Sequence, residues 1–198
     1  MSTPALKNDF VTEEEYLSGE ELTEIPHEYV EGRVYAMSVP TDSHGEISGV
    51  VYTSLFAQLA GQRCRPWMGN MRVRIAFLNR TVFYIPDVLI ACDDPPRDRR
   101  FREEPMAIFE VLSESSEATD QREKLLAYTT LPTLRHYFVV RQDRMEITHV
   151  RRADAEWEEF LLHKPDQEIE IPELNFHLPL RAIYAEVTFP PPRENLFA

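Results

Sequence analysis

The chain is predicted to fold as a mixed β-sheet flanked by helices, an α/β or α+β domain, and three observations carry that prediction. Strand-like and helix-like segments alternate along the chain instead of separating into blocks. With 198 residues and 43% hydrophobic content it can bury one substantial core. The span from the apolar run at 106–112, through a helical segment, to a second apolar run at 135–141 is long enough to be a crossover between parallel strands. A single domain is therefore expected over residues 1–198, with its core at about 10–180 and an irregular, proline-rich tail at 189–198.

The elements follow in order. Thr12 with Glu15 three residues later has the form of a capping box and predicts a short amphipathic helix as far as Gly19. Two β-prone stretches, Glu28-Tyr29-Val30 and Arg33-Val34-Tyr35-Ala36-Met37, flank Glu31-Gly32 and predict a hairpin. Over 43–62, Ile47, Val50, Val51, Ser54, Leu55 and Leu59 recur at helical spacing, and Gly61 is placed to end that helix. Residues 71–77 alternate like a half-buried strand, and further strands are expected at 83–92 and 106–112, separated by a polar loop at 93–104. A second helix is predicted at 117–130, stopped before Pro132, then a buried strand at 135–141 and a closing hairpin from 145–150 and 157–162.

Composition narrows the function. A net charge of −13 argues against non-specific coating of nucleic acid. Residues 1–10 lack the apolar core of a signal peptide, and no run approaches the roughly 20 apolar residues that span a bilayer. Cys64 and Cys92 have neither CxxC spacing nor histidine companions, so neither a zinc site nor a disulfide is expected, and a reducing cytoplasm fits.

The chemistry is sought where charge meets apolar sequence. Asp87 lies within Ile85-Pro86-Asp87-Val88-Leu89-Ile90, and Glu110 within Ile108-Phe109-Glu110-Val111-Leu112. A carboxylate is costly in such runs unless it is paired, protonated or bound to a cation. Either acid alone reads as a loop cap or an arginine partner. On neighbouring strands, with Glu110 on the face of Ile108 and Leu112 and Asp87 on that of Ile85 and Leu89, the two could converge to hold a divalent ion. Asp120 and Lys124 stand four residues apart, on one helical face and about 6 Å apart along the axis. An exposed ion pair is the ordinary meaning of that spacing. Yet the chain has 18 arginines and only three lysines, Lys7, Lys124 and Lys164, so a compact ammonium here is distinctive.

Taken together, Pro86-Asp87, Glu110-Val111-Leu112-Ser113, and Asp120 and Lys124 followed by Tyr128 resemble the "putative restriction endonuclease" family of bacterial proteins, within the PD-(D/E)XK nuclease superfamily. Glu28-Tyr29-Val30-Glu31-Gly32 resembles the family's Glu-Leu-x-Asp-Gly turn, and the segment from Pro40 to His44 its Pro-Ser-x-x-His segment. The similarity runs over about 10–152 and more weakly to 180. The resemblance implies a restriction endonuclease-like fold and a Mg²⁺-dependent (or Mn²⁺-dependent) nuclease acting on DNA, with Asp87, Glu110 and Lys124 as catalytic residues. The metal ligands it implies are Asp87, Glu110 and the carbonyl of Val111. Glu28 matches an acid often supplied from the N-terminal part of the superfamily. The superfamily's ExK triplet is broken, because Leu112 stands where lysine is expected, so Lys124 would reach the site from the following helix with Asp120 as its orienting partner.

Other residues carry weaker signals. His44 opens the first long helix, where a polar N-terminal or buried donor role is ordinary and support of catalysis the alternative. Ser113, Ser115 and Ser116 lack a G-x-S-x-G elbow and read as helix capping. Tyr128 reads as core. Phosphate contacts are assigned to Arg72, Arg74, Arg97, Arg99 and Arg100, although neighbouring acids roughly cancel the last three. The alternatives to a nuclease are a catalytically silent module of the same fold that binds nucleic acid, a protein or a second copy as a homodimer, and a phosphoesterase acting on small molecules.

Overall fold

The computed structural model describes residues 10–77, 80–94, 99–112, 118–154 and 156–190, with the side chains of 118–120 excepted. Helix α1 (Glu13–Gly19) carries the predicted capping box: the Glu15 N–H donates to the Thr12 hydroxyl at 3.2 Å, and the Thr12 N–H to Glu15 Oε2 at 2.8 Å. Strands β1 (His27–Val30) and β2 (Arg33–Ala36) form the hairpin around Glu31 and Gly32, whose φ values of 50° and 87° supply the paired left-handed turn that a two-residue loop needs. A Cβ on Gly32 would stand 2.3 Å from the Phe10 ring, so glycine is required there twice over. Helix α2 (Asp42–Gln58) starts at its Thr41 cap and ends at Leu59, slightly short of the predicted limit.

Strand β3 (Arg65–Met68) was not predicted, because Arg65-Pro66-Trp67-Met68 carries a proline. It is tolerated because β3 is an edge strand. Then come β4 (Arg72–Phe77), β5 (Arg80–Tyr84) and β6 (Val88–Ala91). The strand expected at 83–92 is thus two strands in two different sheets, broken at Ile85-Pro86-Asp87. Pro86 has no N–H for a ladder, and the chain turns from one sheet into the other at that point. Within the predicted polar loop, β7 (Phe101–Arg102) pairs in parallel with β4.

Next are β8 (Pro105–Leu112), α3 (Ala118–Tyr128), β9 (His136–Arg141), β10 (Ile147–Ala153) and β11 (Glu156–Leu162), close to their predicted limits. A two-stranded sheet of β12 (Glu168–Ile171) and β13 (Phe176–Pro179), joined by a 3₁₀ turn at Pro172–Leu174, and a short helix α4 (Leu180–Ile183) complete the described chain.

The strands order as β11-β10-β9-β8-β6-β3 in one sheet and β2-β1-β5-β4-β7 in another. β8 is central. It pairs antiparallel with β6 (Val88↔Phe109) and, with α3 as the connection, parallel with β9 (Phe109↔Phe138). Its side chains alternate between two cores. Ala107, Phe109 and Val111 pack with α2, β12, β13 and α4, where the Phe109 and Phe138 rings stack at 4.5 Å. Ile108 packs on the other face with β4, β5 and Tyr128 of α3. Glu110 shares that second face.

One expectation about the cysteines is overturned. Cys64 and Cys92, 28 residues apart, are joined by a disulfide, because the β3·β6 register (Arg65↔Ala91) brings them opposite one another. Linear spacing carries no trace of that pairing, and the argument from the cysteines to a reducing compartment falls with it.

Far from the end of β8 that carries Glu110, two buried imidazoles meet. His136 Nε2 lies 3.0 Å from Glu173 Oε2 and His136 Nδ1 lies 2.9 Å from His149 Nε2. A carboxylate only accepts, so His136 donates through Nε2, and in a neutral pair His149 Nε2 must donate to His136 Nδ1. Burial holds both rings below the usual histidine range, His149 down to about 3. The unfolded chain therefore takes up protons from about pH 6.5 downward while the folded one does not, so stability falls as pH drops through that window. His149→Phe should shrink the loss of stability between pH 6.5 and 5, read from urea midpoints. An unchanged pH slope in the variant would remove the imidazole pair as its cause.

Candidate active site

The site lies where the two large sheets meet, between the break at Pro86, the C-terminal half of β8, the start of α2 and the inner face of α3. Asp87 occupies the bend itself. Its Oδ1 is 2.9 Å from His44 Nε2, and its Oδ2 accepts the Val111 N–H at 2.6 Å. In an extended strand the N–H and C=O of one residue point to the same edge, so the Val111 carbonyl also faces Asp87. Carried two residues on from Val88↔Phe109, the register sets Pro86 opposite Val111, and proline has no N–H to offer that carbonyl.

Glu110 lies on the Ile108 face of β8, opposite to the Val111 side chain, and is buried, 5% exposed. Two residues of α3 reach it, one turn apart. The Tyr128 hydroxyl donates to Glu110 Oε1 at 3.1 Å, and Lys124 Nζ lies 3.9 Å from Oε2. Lys124 Nζ also donates to Glu28 Oε1 at 2.8 Å, and the same oxygen accepts the Ile85 N–H at 3.1 Å. The ammonium lies 5.4 Å from the centre of the Tyr84 ring. Glu28 stands on β1, so both large sheets contribute acids to one cluster.

The electrostatics are those of a crowded acidic centre. Burial pushes the Glu110 carboxyl up to about 8; the Lys124 charge opposes the shift, while the Asp87 and Glu28 charges add to it. The Tyr128 phenol is held well above its ordinary value by burial and by the adjacent Glu110. Carboxylates of Asp87, Glu110 and Glu28 with a peptide carbonyl form the hard-oxygen donor set that Mg²⁺ or Mn²⁺ takes, and a divalent ion would offset the mutual repulsion of the acids. The residues therefore fit such an ion. His44 Nδ1 is buried and has no hydrogen-bond partner among the described residues, while Nε2 is spent on Asp87. A separate trio, Glu168, Glu170 and His177, brings three ligating atoms within 4.8 Å, but on an exposed face of β12 and β13.

The structure thus brings together Asp87, Glu110, Lys124, Glu28, His44 and Val111. The side chain of Asp120 lies outside the described residues, as do Arg97 and the three serines at 113, 115 and 116. The arginines assigned to phosphate are corrected. Arg72 is buried and bound to Glu20 and to the Tyr16 hydroxyl; Arg74 pairs with Glu13 and Glu103, Arg99 with Glu103, and Arg100 with Glu21. For Arg72, Arg74 and Arg100 the reason is tertiary, whereas Arg99 meets an acid of its own loop. Acids of α1 and of the turn after it fold over this basic stretch, which composition alone left next to its own loop. Among the described residues, the partners the sequence did not expose include Glu28 for Lys124, His44 for Asp87 and the Tyr128 hydroxyl for Glu110. The signal for the last was present in the four-residue step from Lys124, since a buried tyrosine hydroxyl needs an acceptor.

Comparison with known proteins bears on the family and the fold. The family described as "Putative restriction endonuclease" (Uma2) matches residues 13–181. An "Uncharacterized protein slr1290" of Synechocystis sp. is 32% identical over 180 residues, covering 89% of this chain and 92% of that one. The fold is shared with a crystal structure of "a putative nuclease belonging to DUF820" from Anabaena variabilis, at a TM-score of 0.67 and 19% identity over 82% of this chain and 92% of that one. A family match over most of the length and a relative of this identity lead to one conclusion: the chain belongs to the Uma2 family, described as "Putative restriction endonuclease".

Proposed function

We propose that this protein is a metal-dependent endonuclease that hydrolyses phosphodiester bonds of DNA. The observation that carries the reading is the convergence of Lys124 on Glu110 and Glu28, with Asp87 held beside them by His44. DNA as substrate is drawn from the family. Asp87, Glu110 and the Val111 carbonyl would hold the ion, Mg²⁺ or Mn²⁺. Such an ion supplies a Lewis acid for the phosphate and lowers the pKa of a bound water.

The chain's own residues do the rest. With Leu112 unable to supply an ammonium from β8, Lys124 delivers one from α3 beside Glu110 Oε2, where it can orient the attacking water and offset charge gathering on phosphorus. Glu28 holds Lys124 in that position. His44 fixes the rotamer of Asp87. The five-stranded sheet contributes Glu28, so the orientation of Lys124 depends on how the two sheets are docked.

A second reading is a silent module of the same fold, and one observation favours it. Arg72, Arg74, Arg99 and Arg100, read from the sequence as phosphate contacts, are paired with acids of this chain, and the chain carries a net charge of −13.

Calorimetry with Mn²⁺ and cleavage of duplex and single-stranded DNA separate the two. The nuclease reading expects binding by the wild type, loss of binding in Asp87→Ala, and a fall in cleavage of about 10²-fold or more in Lys124→Ala with binding retained. A wild type that takes up no Mn²⁺ and cuts none of these substrates would leave only the module.

The raised pKa of Glu110 makes a further claim about the metal-free protein. Its folded value of about 8 lies above the unfolded one near 4.5, so its favourable contribution is present below the unfolded pKa and is lost as pH rises through about 8. Glu110→Gln should then gain thermal stability over the wild type progressively from pH 5 to pH 9, measured with a chelator present. A constant difference across that range would contradict the assignment.

A further inference from the structure

We propose that Tyr128 is a positioning residue for Glu110: its hydroxyl holds Oε1 and so fixes the orientation of the carboxyl group that would meet the cation. The inference rests on the reading above, that Glu110 is a ligand. Both oxygens of Asp87 are already oriented, Oδ1 by His44 and Oδ2 by the Val111 N–H. Glu110 has a longer side chain with more torsional freedom, so it needs an equivalent restraint. Tyr128 supplies it. The tyrosine is fully buried, its hydroxyl is 3.1 Å from Oε1, and a neutral phenol can donate to a carboxylate.

The ring itself has little room to move. Its centroid lies 5.6 Å from that of Tyr84 on β5 and 5.5 Å from that of Tyr137 on β9, so aromatic packing from both large sheets sets where the hydroxyl stands. The division of labour along α3 follows from helix geometry. Residues 124 and 128 lie one turn apart on the same face, and each meets a different oxygen of the same carboxylate. Core packing alone explains a phenylalanine at 128 as well as a tyrosine; it does not explain why the hydroxyl ends on Glu110, a buried acid facing the second core.

Tyr128→Phe tests the idea, because it removes the hydroxyl and keeps the ring. Tyr184→Phe serves as the control, since it deletes a buried hydroxyl that donates instead to the backbone carbonyls of Arg141 and Glu146. Mn²⁺ affinity is measured by calorimetry and by the Mn²⁺-induced rise in Tm, which reports binding even in a destabilised variant. The expected result is an affinity about 10-fold to 100-fold lower in Tyr128→Phe and unchanged in Tyr184→Phe. Wild-type affinity in Tyr128→Phe, whatever its metal-free Tm, would overturn the positioning role while leaving the nuclease reading intact. A wild type that binds no Mn²⁺ would instead remove the nuclease reading and this inference with it.

Discussion

A carboxyl group buried at the centre of the main sheet is the constraint around which the rest is arranged. Glu110 sits on the middle strand, β8, facing a core of Ile108, Leu89, Tyr84 and Tyr137. Removing a carboxylate from water at such a place is expensive unless hydrogen bonds and opposite charge replace what water gave. The fold answers with a hydroxyl and an ammonium from one helix, and with a second acid, Glu28, that keeps the ammonium in place. Replacing Glu110 by an apolar residue would be an easier way to fill that core. On the proposed nuclease reading, its presence there marks a site kept at the expense of stability.

Asp87 is positioned by a break between the two sheets. Were the run from Phe83 to Cys92 one continuous strand, Asp87 would project from a regular ladder and its neighbours would be spent on one another. Because Pro86 ends the ladder, the chain crosses from the five-stranded to the six-stranded sheet at Asp87. The Val111 N–H and carbonyl then face a side chain instead of a partner strand. The start of α2 fits against this gap, with the Thr41 cap fixing the first turn that carries His44. One proline thus creates a bend, a backbone N–H turned to a side chain and a place for an imidazole.

Charge elsewhere is handled internally. Arg72, Arg74 and Arg100 tie α1 and the turn after it to the five-stranded sheet through Glu20, Glu13 and Glu21. These pairs bear on how that sheet sits, and through β1 on where Glu28 holds Lys124. Binding of a polyanion by this face would require those pairs to open.

Much of this was legible locally. The capping box of α1, the Glu31-Gly32 hairpin, the helical spacing from Lys124 to Tyr128, and acids set in apolar runs at 87 and 110 all follow from neighbours within a few residues, where propensity and periodicity act. The identity of the two acids and the lysine could be read that way, with the family resemblance joining them. What stayed hidden depends on pairing across long separations: the bond between Cys64 and Cys92, the division of one apolar run between two sheets, the acids that claim the arginines, and the hydroxyl that meets Glu110. Each is a choice of partner made when strands far apart in the chain come into register, and no local pattern carries the energy of a contact that exists only once the sheets have formed.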